Sequence, residues 1–162
     1  MGVRLVRGAG ADVNPATVNL YASGVINFDN PVEWARNGTG GAVVVPATDA
    51  TTSTMIFGVA KSYAQGASDT KVNVIPFLRG QLWEVDCANA ATTAQLGIRH
   101  ALSASRGYVH NTATDVGAAA AVATRVTGVF LALEMTGSTS GSGKLIGRFL
   151  ADDGPVAAGT QT

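Results

Sequence analysis

The chain predicts an all-β fold: a compact β-barrel or β-sandwich of short antiparallel strands, with extended N- and C-terminal arms and little helix. Three observations predict it. Short apolar runs recur between breaks rich in Gly, Ser, Thr and Asn. Several runs alternate with a period of two, the signature of a strand with one buried face. Amphipathic helical stripes are nearly missing. At 162 residues the chain has the length of one domain and can bury roughly 70% of the surface that its unfolded form exposes. Its organisation reads as an N-terminal arm over 1–16, one β-rich domain over 17–150 and a C-terminal tail over 151–162.

Taken in order, Val3 to Arg7 is a short strand-like run within the arm, and residues 8–16 have little to pack. Thr17 to Tyr21 is a weak strand. Pro31-Val-Glu-Trp-Ala-Arg36 reads as one helical turn, with Asn30 as N-cap and Pro31 at the first position. Ala42 to Val45 is a strand ended by Pro46. Met55 to Tyr63 and Lys71 to Leu78 read as a hairpin joined by residues 65–69, and Leu82 to Cys87 follows. Gln95 to Ser103 alternates, with Leu96, Ile98, His100 and Leu102 on one face. The alanine-rich stretch from Val116 to Val126 reads as a helix capped by Asp115 or, equally, as a loop. Thr127 to Met135 and Lys144 to Leu150 form a second hairpin. Regularly spaced short strands with turn signals point to a sandwich or barrel.

Charge bounds the function. Asp, Glu, Lys and Arg make up 14% of the chain, against about 25% in an average domain. Eleven cations balance eleven anions. A neutral, charge-poor surface does not oppose self-association, and it suits a subunit covered by neighbours. The dispersed arginines argue against nucleic-acid binding, which calls for a clustered basic patch. No apolar run reaches the roughly 18 residues of a membrane helix, and Met1 to Arg7 lacks a signal-peptide core. The single Cys87 excludes an internal disulfide and reads as a buried thiol.

The motifs that carry chemistry elsewhere are defective here. Gly137-Ser-Thr-Ser-Gly-Ser-Gly-Lys144 has the wrong spacing for a phosphate loop, ends in Leu145 where a magnesium-ligating hydroxyl belongs, and leads into a strand. His100 and His110 are ten apart and Cys87 is remote from both, so no metal site is expected. A hydrolytic grouping of His100 with Glu84 or Asp86 is a distant alternative, and His100 reads first as a hydrogen-bonded core or interface residue. Neither a catalytic residue nor a cofactor is expected. Trp34, Trp83, Phe57, Phe77, Phe130 and Phe149 read as core and interface anchors, and a carbohydrate-binding module stacking sugars on Trp34 or Trp83 is another alternative.

Leu82-Trp-Glu-Val-Asp-Cys87 is the most informative run. Trp83, Val85 and Cys87 point to the core. Leu82, Glu84 and Asp86 share the other face, the two carboxylates roughly 7 Å apart, with Arg79 or Arg99 as possible cross-strand partners. The candidate interface residues are therefore Leu82, Glu84 and Asp86, together with Arg4, Arg7 and Trp34. Replacing Glu84 and Asp86 by Lys is expected to impair assembly while leaving the monomer folded.

Lys71-Val-Asn-Val-Ile-Pro-Phe77, Gln81-Leu-Trp-Glu-Val-Asp86, Ala94-Gln-Leu-Gly-Ile-Arg-His-Ala-Leu102, Gly128-Val-Phe-Leu-Ala-Leu133 and Lys144-Leu-Ile-Gly-Arg-Phe149 together resemble the capsid decoration (cement) proteins of tailed bacteriophages. The resemblance covers roughly residues 55 to 150 and rests on cadence. It implies a β-rich structural subunit, often trimeric, that is made in the host cytoplasm and binds the major capsid protein on the outside of an expanded head. It implies no catalytic residues. Other virion parts, such as a tail-tube, head-fibre or minor spike subunit, are the nearest alternatives.

Overall fold

The computed structural model describes residues 3–7, 16–66, 70–87, 91–102, 108–109, 128–137 and 143–151. The strands are β1 (Val3–Arg7), β2 (Val18–Tyr21), β3 (Gly24–Ile26), β4 (Pro31–Arg36), β5 (Ala42–Pro46), β6 (Ile56–Ala60), β7 (Ala64–Gly66), β8 (Lys71–Pro76), β9 (Leu82–Cys87), β10 (Arg99–His100), β11 (Tyr108–Val109), β12 (Phe130–Gly137) and β13 (Lys144–Phe149). No α-helix occurs among the described residues. A six-stranded sheet runs β1-β9-β13-β12-β10, with β11 added in parallel to β9. A five-stranded sheet runs β2-β8-β6-β4-β5, and β3 and β7 form a separate ribbon. The sheets pack together as a sandwich, and neither closes into a barrel.

Two cores hold these layers. The first lies between the sheets and joins Val3, Ile56, Val59, Ile75 and Phe77 to Trp83, Val85, Cys87, Phe130, Leu145 and Phe149. Its centre is aromatic: Phe77 stacks on Phe149 at 3.9 Å and meets the edge of Trp83 at 5.0 Å. Such pairs add about 0.5–1.5 kcal/mol each beyond the area they bury. The second core is built from small residues, including Ala22, Ile26, Val32, Val44, Ala60, Ala64, Val72 and Val74. It lies against the β3–β7 ribbon side, where an isolated parallel bridge between Ala22 and Val44 draws the chain after β2 towards β5.

Both hairpins are confirmed. β6 pairs antiparallel with β8, and β12 with β13, although β7 intervenes in the first connection and pairs with β3. Close backbone approach explains a glycine in each. A Cβ at Gly58 would overlap the Ile75 carbonyl, and one at Gly147 would overlap the Leu131 carbonyl and lie 2.8 Å from Phe130 Cζ. Each glycine also adjoins a register shift, at Val32/Glu33 and at Ala132/Glu134, as expected where a strand bends.

Three expectations change. Pro31–Arg36 is not a helical turn but β4, an inner strand between β5 and β6. Pro31 stands at its first residue, where a missing N–H breaks no ladder bond. Val32 and Trp34 serve the second core on one side while Glu33 takes the opposite one. Gln95 to Ser103 is not one strand. Thr93–Gln95 make a 3₁₀ turn, closed by the Thr92 N–H donating to Gln95 Oε1 at 2.8 Å, and Gly97 at φ 75° separates it from the two-residue β10. Val3–Arg7 does not stand apart as an arm, because it pairs with β9 and buries Val3. Residues 8–15, the stretch from 116 to 126 and the tail from 152 lie outside the described residues.

Candidate interaction surface

The alternation in β9 is as expected. Trp83, Val85 and Cys87 are fully buried towards the first core. Burial, reinforced by the neighbouring Asp86 charge, pushes the Cys87 thiol up to about 12, so it is a structural thiol rather than a nucleophile.

The opposite face carries an ion-pair network within the chain. Arg4 on β1 stands across the ladder from Glu84, and its Nη2 donates to Glu84 Oε1 at 3.0 Å. Lys144 on β13 stands opposite Asp86 and reaches Asp86 Oδ1 at 3.2 Å and Glu84 Oε1 at 3.5 Å. Thr136 donates to Glu84 Oε2 at 3.3 Å. The Lys144 ammonium is held above its ordinary value, first by its hydrogen bond and ion pair with Asp86 and then by Glu84. The cations that meet these carboxylates are thus Arg4 and Lys144, not Arg79 or Arg99. Asp86 is also not a solvated residue, being only 5% exposed. A lysine at this buried position would lie beside the Lys144 ammonium in place of its carboxylate partner, so the double replacement would damage the fold as well as any contact.

Of the other candidates, Arg7 stands opposite Leu82 in the β1–β9 register, and Leu82 is half-buried. Trp34 lies elsewhere, on β4 in the other sheet. It is half-buried and tilts against Phe57 at 4.8 Å. Trp83 is fully buried, which removes it as a sugar-stacking platform. His100 is fully buried on β10, where its Nε2 lies 3.0 Å from the Gln95 carbonyl oxygen, a contact it makes only as a donor. Strands β13 and β12 separate it from Glu84 and Asp86, a span of about 14 Å across the sheet. His100 and these carboxylates do not form one site.

Sequence reasoning missed Lys144 and Thr136, which lie 60 and 52 residues from Glu84. It also missed Glu33, a buried carboxylate that accepts a hydrogen bond from Thr51 Oγ1. Burial raises the Glu33 carboxyl above its ordinary value, and the Thr51 bond offsets part of this. Among the described residues no group of three or more His, Cys, Asp or Glu is placed to hold a metal ion, and no helix is long and apolar enough to cross a membrane.

The charged network leaves large apolar side chains as the conspicuous open surface. Tyr21, Val25, Phe28, Tyr63, Leu78 and Leu133 are exposed, Tyr63 by 66%. Lys61 lies over the Phe28 ring at 4.9 Å and pairs with Asp29, while Lys71 covers Tyr21 at 5.1 Å. No protein-family model, curated protein or solved structure matches the chain.

Proposed function

We propose that this chain is a structural virion protein that binds the outer surface of a phage capsid lattice and stabilises the expanded head. The supporting observation is a surface with few charges, its central carboxylates neutralised within the chain, that still exposes Tyr21, Val25, Phe28, Tyr63, Leu78 and Leu133. Exposed aromatic and aliphatic side chains of this kind suit burial against a protein partner. On this reading the partner is the major capsid protein, the subunit acts without catalysis, and it assembles as a homotrimer. Weak individual contacts suffice because a repeating lattice multiplies them.

Mixing the purified protein with expanded, undecorated capsids tests the proposal. Saturable binding in a fixed ratio to the shell protein, with a rise in capsid melting temperature, is the expected result. Failure to bind would overturn it. Native mass measurement of the free protein tests the oligomer separately: a trimer agrees, whereas a hexamer or stacked rings favour a tail-tube subunit.

A further inference from the structure

The same outward face of the large sheet has a second charged region at its other end. Arg99 on β10 and Arg148 on β13 both stand opposite Leu131 of β12. Directly paired residues share a face, so the two arginines flank Leu131 at a backbone separation of about 10 Å, two strand spacings. Arg79 comes from the turn between β8 and β9. That turn is braced by the buried Gln81, whose Oε1 accepts the Leu78 N–H at 2.8 Å, and Gly80 supplies the positive φ of 83° that it requires. Arg79, Arg99 and Arg148 line one cleft of about 370 Å³, together with Ser53, Leu78 and Phe149.

Three arginines thus border one small cleft. Among the described residues none of them has a carboxylate within ion-pair distance, in contrast to Arg4 and Lys144. Among the described residues no acid lines the cleft. Guanidinium is the side chain best matched to planar, bidentate contact with carboxylate or phosphate oxygens. Leu78 and Phe149 add an apolar wall.

We propose that this cleft binds a multiply charged oxyanion, a phosphate or a paired carboxylate, carried on an apolar body. The three guanidinium groups donate to the anion's oxygens, and its apolar part lies against Leu78 and Phe149. The site shares Leu78 with the apolar surface of the capsid reading, but its arginines are separate from the network around Glu84, and binding of a small anion is tested without capsids.

Calorimetric titration of the full chain at low ionic strength tests it, using phenyl phosphate, phthalate and inorganic phosphate as probes. One phenyl phosphate or one phthalate is expected per chain, and the tighter of the two identifies the source of the charge. Inorganic phosphate is expected to bind about tenfold more weakly. Arg148→Gln and Arg79→Gln are each expected to weaken binding at least tenfold, and Arg36→Gln, remote on β4, to leave it unchanged. Circular dichroism checks that each variant folds. Arginine Nε resonances of the unmodified chain give a reading that needs no substitution: three of them shift on titration if the site exists. Absence of binding by both organic anions, or equal loss in the Arg36 variant, overturns the proposal.

Discussion

The two ends of the outward face of the large sheet handle charge in opposite ways. Around β9, two carboxylates and two cations close on one another, and Lys144 serves both Glu84 and Asp86. Around β10 and the end of β13, three arginines converge without an acid among the described residues. The register of the same strand produces both regions, since Lys144, Ile146 and Arg148 share one face of β13. A residue at position 144 lands beside an aspartate, and one four positions further lands beside Leu131 and another arginine. Charge on a sheet is thus decided by which strand lies alongside. The first end is a structural tie, and the second gathers arginines with no acid among the described residues beside them.

The largest effect is expected from reversing charge in the first region. Asp86→Lys places a second ammonium beside Lys144 at a buried position and should destabilise the fold by about 3–5 kcal/mol, measured by urea unfolding. Reversing charge at the exposed Arg79, by Arg79→Glu, should leave the midpoint nearly unmoved. Lys144→Met removes the shared cation and should cost about 1 kcal/mol, less in high salt because the Lys144 side chain is half-exposed.

Glu33 sharpens the comparison because it is a buried carboxylate whose shift owes nothing to a cation. Its folded pKa is raised above the unfolded value of 4.5. The stability it contributes is therefore complete below pH 4.5 and is lost as pH rises through the folded value. Glu33→Gln should accordingly match the parent in melting temperature at acid pH and exceed it increasingly towards pH 7. A constant difference across that range would show that Glu33 is not titrating in this window. The smallest effect is expected at the basic end. Arg148→Ala and Arg99→Ala, both at exposed positions, should change stability by no more than about 0.5 kcal/mol, measured by the same urea unfolding.

Much of the fold was legible because its signals are local. The alternation of Trp83, Val85 and Cys87 against Leu82 and Glu84 needs only six consecutive residues to be read. The pairing of β12 with β13 follows from two apolar runs bounding a Gly- and Ser-rich connection. Residues 31–36 misled because Asn30 and Pro31 satisfy a local helix-start rule, while the β5 and β6 ladders on either side of them are what decide. The partners of Glu84 and Asp86 were not legible for the same reason. Lys144 and Arg4 are brought to them by register across the sheet, and nothing near residues 84 and 86 in sequence announces it. The arginine cleft likewise needs three separate segments to meet. Its members were each visible, but only the fold makes them neighbours.

The pairing of β1 with β9 has a consequence for biosynthesis. Arg4 and Glu84 lie 80 residues apart, and β9 is the β1 ladder partner. At a translation rate of about 5–20 residues per second, the amino-terminal strand waits roughly 4–16 s for its partner to be made. During that interval its apolar residues Val3, Leu5 and Val6 lack the β9 partner that they pack beside in the folded chain. Once β9 emerges, docking of those few residues covers its free edge. Strand β1 thus acts as a late latch.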